Sequence, residues 1–362
     1  MAPEARTALR RGWTTGACAA AAARAAFSAM LAGRFPDPVA IRLLRGGTAS
    51  FPLALAELGE ATARAGVMKD AGDDPDVTHG AVVIAETAWA AAAAGIRFAA
   101  GEGVGTVTRA GLPLAVGEPA INPGPRALIR AMLTEAAAEI GAPPPDVTVT
   151  ISIPGGERLA EKTMNGRLGI VGGLSILGTT GVVIPYSCAS WIHSIHRGID
   201  VARAAGLDHI AAATGAVSER AVQRLYRLPD HALIDMGDFV GGTLKYLRRH
   251  PVTRLTIAGG FAKLAKLAAG HLDLHSARSR VDVAALAGML ADLGAANATL
   301  EPARSAGGAA EILALAGDRR EALARAVAAR AREVALATLC GKTAIEVAIV
   351  DRRGEFLARV GG

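Results

Sequence analysis

Aromatic side chains are scarce in this chain of 362 residues, where Phe, Trp and Tyr together make up 4%. So few rings exclude the extended stacking platform that single-stranded nucleic acid needs. The formal net charge of +6 and pI near 9.6 suit an anionic partner, yet Lys and Arg are scattered along the chain rather than clustered. Nucleic acid is therefore not expected, and a small molecule carrying several carboxylates fits the same charge. Cysteine is nearly absent as well. Cys18, Cys188 and Cys340 are odd in number and show no paired spacing, which excludes a disulfide framework and points to a reducing cytoplasm. Long hydrophobic runs are also missing: the 51% apolar content comes mostly from alanine, and the apolar run 90–96 falls far short of the roughly 20 residues a bilayer crossing needs. No membrane span is expected. Arg10 and Arg11 precede an alanine-rich segment as in an export signal, but Arg24 lies inside that segment and Thr14, Thr15 and Gly16 open it like a helix cap, so it reads as a folded helix.

Glycine, by contrast, is concentrated. Between Pro154 and Gly181, eight of twenty-eight positions are glycine. Glycine loses more backbone freedom on folding than any other residue, so such density implies left-handed turns or close approach of backbone to a ligand. The length suits two domains. Residues 1–189 alternate short β-rich runs (39–44, 51–55, 81–87, 104–108, 147–153) with loops and two helices, 17–31 and 125–140, which is an α+β pattern. Residues 190–362 alternate regularly: helix 191–205, strand 209–213, helix 218–226, strand 232–235, helix 239–248, strand 254–258, helix 261–269. That pattern predicts an α/β domain with a parallel sheet, closed by a long helix over 319–339 and strands over 345–350 and 356–360. Residues 294–310 read as loop.

Several familiar motifs fail on spacing or context. The triplet Gly341-Lys342-Thr343 ends like a phosphate-binding loop but follows a helix. The string Gly101-Glu102-Gly103-Val104-Gly105 runs on into a strand, which favours a hairpin or ligand loop over a nucleotide fingerprint. In 69–79, Asp70, Asp73, Asp74 and Asp76 stand beside Lys69 and His79; such carboxylates repel one another unless cations or hydrogen bonds satisfy them. A solvated turn explains them, as does a site that holds a positive charge or accepts a proton. In the second half, Gly259 and Gly260 follow a strand and open a helix bearing Lys263, which would place free N–H groups at the sheet's carboxyl edge. His271, Asp273 and His275 alternate as metal ligands do, or as polar residues of a loop do.

The strings at 12–26 (GWTTGACAAAAARAA), 69–81, 101–129, 151–183 and 237–247 (GDFVGGTLKYL) together resemble the cobalt-precorrin-5B C(1)-methyltransferases, the CbiD family, and occur in that family's order. The resemblance implies transfer of a methyl group from S-adenosylmethionine to C-1 of a cobalt-bearing tetrapyrrole, giving cobalt-precorrin-6A in anaerobic cobalamin biosynthesis. It also implies a first domain similar to a permuted ribosomal S5 domain 2-like fold and a second with a four-stranded parallel sheet. Cobalt enters as part of the substrate, so no protein metal site is implied. A precorrin is fringed with acetate and propionate groups, for which Lys69, Arg109, Arg126, Arg158 and Lys263 are candidate clamps. Gly172, Gly173, Gly178, Thr179 and Thr180, with Gly259 and Gly260, are candidate contacts for the cofactor. Asp73 and His79 are candidates for holding the sulfonium charge or taking a ring proton. The family more often has histidine where this chain has Gly260. The sequence leaves homo-oligomerisation open, together with two other classes: a metal-dependent hydrolase built on His271, Asp273 and His275, and a corrinoid carrier without catalysis.

Overall fold

The computed structural model describes residues 9–361. The chain falls into two compact units, Met1–Cys188 and Ala189–Gly362.

In the first unit, β1 (Gly12–Trp13) leads into α1 (Thr15–Ala32), followed by β2 (Val39–Arg42), β3 (Thr48–Phe51), β4 (Leu55–Leu58), β5 (Thr62–Met68), β6 (Val82–Trp89), β7 (Ile96–Ala100), β8 (Thr106–Val107), α2 (Pro123–Glu139), β9 (Val147–Ser152), α3 (Gly156–Ala160), α4 (Asn165–Leu168), β10 (Ile170–Val171) and β11 (Val182–Val183). The main sheet has the order β4-β5-β6-β9-β7, antiparallel except where β7 runs parallel to β9. Helix α1 forms because alanine loses least on helix formation, Thr14 accepts the Ala17 N–H, and Gly33 ends it with a left-handed φ of 71°. It is buried nearly all round, with Ala17 to Ala23 at 0% exposure, because only small side chains let one helix approach both a sheet and α2. By length and hydropathy α1 does meet the test for a membrane span, contrary to the sequence expectation, but 72% of it lies buried inside this unit.

The expected strand over 51–55 is instead the break between β3 and β4, because Pro52 has no N–H for a ladder. Strand β5 escapes sequence reading: its buried residues include Ala63 and Ala65, small because α1 packs against them.

In the second unit, α5 (Cys188–Ala204), β12 (His209–Ala213), α6 (Ala216–Tyr226), β13 (Leu233–Asp235), α7 (Val240–Arg249), β14 (Arg254–Gly260) and α8 (Phe261–Ala268) follow the predicted alternation. Then come α9 (Val283–Asp292), α10 (Asn297–Arg304), α11 (Ala309–Leu315), α12 (Arg320–Leu339), β15 (Ala344–Val350) and β16 (Phe356–Val360). The sheet order is β13-β12-β14-β15-β16; the first four strands are parallel and β16 is antiparallel at the edge. The stretch expected as loop, 294–310, contains α10, whose Leu300 and Ala303 enter the core despite Pro302 inside the helix. On the same sheet Glu346 is wholly buried. Burial would raise its pKa, but hydrogen bonds from Tyr226 and Thr256 and the Arg359 guanidinium outweigh that and hold it below the usual range.

Candidate active site

Three backbone segments of the first unit meet at the start of α1. Strand β1 pairs with β11, and the Trp13 N–H donates to the Asp70 carbonyl at 2.7 Å. The Thr15 hydroxyl donates to the Leu177 carbonyl (3.2 Å) and accepts the Leu177 N–H (3.0 Å), while the Gly16 N–H reaches the same carbonyl. Residues 176–181 thus form a strap across the α1 start. The same strap lies along the α2 start, since a Cβ on Gly124 would stand 3.4 Å from the Gly178 carbonyl oxygen. Helix α2 is a poor anion cradle, because Pro123 and Pro125 remove two of its first three N–H groups. The sequence marks Thr15 only as part of the helix-opening Thr14-Thr15-Gly16 and gives no sign of its bonds to Leu177.

The glycines expected to approach a ligand mostly approach other backbone. A Cβ on Gly103 would overlap the Ile153 carbonyl, one on Gly156 would overlap Gly103, and one on Gly173 would overlap Gly103 as well. Asn165 ties the same place by donating from Nδ2 to the Gly173 carbonyl at 3.1 Å, and the Leu174 N–H donates to the Gly103 carbonyl at 2.8 Å. Gly173 is therefore corrected from cofactor contact to chain crossing, and so is Gly178, whose Cβ position is filled by Thr14. Gly172 remains open and exposed, and Thr179 is exposed. The Thr180 hydroxyl is engaged with Val182 in its own turn.

The acidic loop is satisfied residue by residue. The Arg10 guanidinium pairs with Asp70, and Asp73 accepts the Arg10 N–H at 2.6 Å. Asp74 accepts the Tyr186 N–H at 2.8 Å. Asp76 pairs with Lys69 at 2.8 Å and accepts the Thr78 N–H (2.8 Å) and hydroxyl (2.6 Å). Lys69 is 1% exposed, so it is an internal ion-pair partner and cannot clamp a substrate at the surface. His79 Nδ1 accepts the Ala71 N–H at 3.1 Å, which puts the ring proton on Nε2. Nδ1 is thus committed to the backbone, and Nε2 is the ring atom left open to a ligand. Asp73 keeps one carboxylate oxygen without a hydrogen bond among the described residues.

The hydrogen bond from Arg10 and that from the Gly72 N–H hold the Asp70 carboxyl down to about 2. A depressed acid stabilises the fold above its unfolded value near ~4 and loses that contribution as pH falls toward the folded value. Both partners are solvent-accessible, so screening keeps the gain small. A carboxyl-detected NMR titration is expected to find Asp70 near the lower value in the native chain and raised partway toward ~4 in Arg10→Gln, where the Gly72 N–H still holds it down; an unmoved Asp70 in that variant would show that the ion pair is not the cause.

Of the candidate clamps, Arg109 packs its stem over Gly169 and Arg158 is exposed on α3, and neither guanidinium has a partner among the described residues. Arg126 is different. It donates to the Ile121 carbonyl (2.7 Å) and the Pro119 carbonyl (3.1 Å) and pairs with Glu118 (2.8 Å), so it braces the turn before α2 and is withdrawn as a clamp.

The second unit holds the remaining candidates. Strand β14 runs on through Gly259 and Gly260 in ladder register with β15, so these glycines are sheet residues, and Thr214 fills the Cβ position of Gly259. Gly260 opens α8 with free space beside it. Lys263 is ion-paired with Asp238. Asp273 pairs with Arg278 and accepts the His275 N–H, and His275 Nδ1 accepts the Ala277 N–H; the alternation serves a turn. Among the described residues no three His, Cys, Asp or Glu side chains are grouped to hold a metal ion, which removes the ground for the hydrolase reading.

Gly172 and Thr179 are exposed, and the Arg109 and Arg158 guanidinium groups have no partner among the described residues. The chain belongs to the CbiD family: the CbiD model matches residues 2–185 and that of the CbiD C-terminal domain matches 273–361. It is 58% identical to the cobalt-precorrin-5B C(1)-methyltransferase of Paramagnetospirillum magneticum, over 97% of this chain and 98% of that one. It is 55% identical to the protein of that name from Brucella anthropi (97% and 96% covered) and 56% identical to that from Halorhodospira halophila (99% and 96%). A crystal structure of the cobalamin biosynthesis protein (cbiD) from Archaeoglobus fulgidus aligns with 29% identity over 75% of this chain and 83% of that one, with a TM-score of 0.40.

Proposed function

We propose that this chain is a cobalt-precorrin-5B C(1)-methyltransferase, which moves a methyl group from S-adenosylmethionine to C-1 of cobalt-precorrin-5B and yields cobalt-precorrin-6A on the anaerobic route to cobalamin. The observation that carries the reading is 55–58% identity, over almost the whole length of both partners, to relatives of that name. Four of the five strings that mark the family lie in the first unit, where they build the strap, the glycine crossing and the acidic loop.

The tetrapyrrole is flat and edged with carboxylates. Arg109 and Arg158, whose guanidinium groups are uncommitted, take those carboxylates, each able to bind two oxygens at once. Leu177 on the strap and Val171 on β10 are exposed apolar side chains suited to the ring's face. When bound, S-adenosylmethionine supplies an electrophilic methyl group on a sulfonium. The open backbone at Gly172 and Thr179 and the carboxylates of the acidic loop fit a polar, positively charged ligand. The electron pair of the ring carbon forms the new C–C bond while the S–C bond breaks toward sulfur, so the protein's part is alignment and exclusion of water.

Mass spectrometry of protein mixed with S-adenosylmethionine and cobalt-precorrin-5B is expected to show the gain of one methyl group. Arg109→Gln and Arg158→Gln should each raise KM for the tetrapyrrole about tenfold, the worth of one charge-assisted hydrogen bond, with KM for S-adenosylmethionine unchanged. No mass gain from folded protein refutes the activity; a gain with unaltered KM values refutes the clamp.

A further inference from the structure

The hydroxyl of Thr15 is not used by its own helix. Thr14 already caps α1 by accepting the Ala17 N–H at 3.1 Å, and most of the residues after Gly16 are alanine. Thr15 is 4% exposed, so its polar group is out of water and needs partners inside the protein. It finds both in one residue of the strap. The hydroxyl accepts the Leu177 N–H at 3.0 Å and donates to the Leu177 carbonyl at 3.2 Å, closing the same pair of hydrogen bonds that a neighbouring strand would. The Leu177 carbonyl also takes the Gly16 N–H at 3.0 Å, but its N–H has no other acceptor among the described residues. Among these residues Thr15 is the one side chain hydrogen-bonded to Leu177.

The residue held in this way faces outward. Just before it, the Ile176 N–H donates to the Ala120 carbonyl at 2.7 Å, the Ile176 carbonyl accepts the Asn122 N–H at 3.0 Å, and the side chain is 0% exposed in the core. Ile176 forms a strand-like bridge with Ile121, and successive side chains of such a backbone point to opposite sides. A buried Ile176 therefore turns Leu177 out, where it is 49% exposed. An exposed leucine alone is ordinary. One whose backbone N–H and carbonyl are both fastened by a buried hydroxyl is aimed. The fastening also has little room to give, because a Cβ on Gly16 would stand 2.7 Å from the Pro125 ring and 3.0 Å from the Leu177 carbonyl oxygen. We propose that Thr15 is a positioning residue that holds the Leu177 side chain against the face of the tetrapyrrole. This rests on the methyltransferase reading and adds to it the residue that sets one contact. An apolar side chain on a backbone already fixed suits a flat ring, since binding has less left to order. The hydroxyl itself touches no ligand.

Steady-state kinetics with cobalt-precorrin-5B and S-adenosylmethionine tests the assignment. Thr15→Val keeps the shape of the side chain and removes both hydrogen bonds, Thr15→Ser keeps the bonds, and Leu177→Ala removes the contact. Thr15→Val and Leu177→Ala are each expected to raise KM for the tetrapyrrole about tenfold, with kcat and KM for S-adenosylmethionine within about twofold of native. Thr15→Ser should have the native KM. The double variant Thr15→Val with Leu177→Ala should also stay near tenfold, because two substitutions that act on one contact do not add. A rise of about a hundredfold in the double variant would show that Thr15 works independently of Leu177 and overturns the proposal. So does an unchanged KM in either single variant, a Thr15→Ser protein as impaired as Thr15→Val, or a fall in kcat at constant KM, which is the mark of a smaller folded fraction. Leu177 is exposed, so its truncation spares the fold and decides the contact even where Thr15→Val is unstable. Methyl transfer that persists with unaltered KM in Leu177→Ala leaves the methyltransferase reading standing and removes this inference; folded native protein that transfers no methyl sinks the reading itself.

Discussion

Replacing Asp76 by asparagine is expected to destabilise the first unit by about 3–5 kcal/mol, the usual cost of stripping the partner from a buried charge. Lys69 is 1% exposed, and its ammonium has the Asp76 carboxylate at 2.8 Å as its ion-pair partner. Asparagine could still accept the two hydrogen bonds from Thr78, but its amide would turn donors toward the ammonium. Burial alone would raise the pKa of Asp76; the hydrogen bonds from Lys69 and Thr78 outweigh it and hold the acid below its usual range. A total stability of roughly 5–15 kcal/mol makes this loss a large fraction. Urea unfolding followed by tryptophan fluorescence in a Trp191→Phe background reports this unit alone, because Trp13 and Trp89 both lie in it. A double variant, Lys69→Met with Asp76→Leu, should recover most of the loss. A single variant as stable as the native chain would mean that Lys69 reaches water after all.

Gly103→Ala is expected to abolish methyl transfer, lowering kcat/KM by at least about 100-fold, the cost of shifting bound groups by about 1 Å. Gly103 has φ of 71°, and the new Cβ would overlap the Ile153 carbonyl and stand 2.8 Å from the Gly156 nitrogen. Both obstacles are backbone and cannot rotate away, so segments 101–105, 153–156 and 173–174 have to part, and the strand pair β8–β10 beside them loses its register. Gly166→Ala is the matched control: it lies in α4 with nothing within 4 Å of the new methyl group. It should leave both stability and turnover near native. Equal activity in the two variants would show that the crossing does not shape the site.

The regular α/β alternation of the second unit was legible because its strands are continuous apolar runs with helices between them, and β12 and β16 fall where the period places them. The first unit was harder. Ala63 and Ala65 of β5 carry little strand preference, and only the alanine face of α1 opposite explains them. The density of glycine in 154–181 was plain, and so was the need for close approach, but a single sequence does not say what approaches. At Gly103, Gly156 and Gly173 it is the chain itself; at Gly172 the space is open. Charges were equally ambiguous. Arg126 and Arg158 look alike in sequence, yet Arg126 is consumed by the carbonyls of Pro119 and Ile121, and Arg158 stands free among the described residues. His79 was visible as a titratable residue in an acidic loop, but the donor at its Nδ1, which decides its chemistry, is a backbone N–H eight positions earlier.

The proposed reaction joins a methyl group to one ring carbon of cobalt-precorrin-5B. Its most direct test is turnover with S-adenosylmethionine labelled with carbon-13 in the methyl group, followed by NMR of the isolated product. A single labelled methyl bonded to C-1, formed in step with S-adenosylhomocysteine, is the predicted result. Label at another atom of the tetrapyrrole, or none transferred by protein shown to be folded, would contradict it.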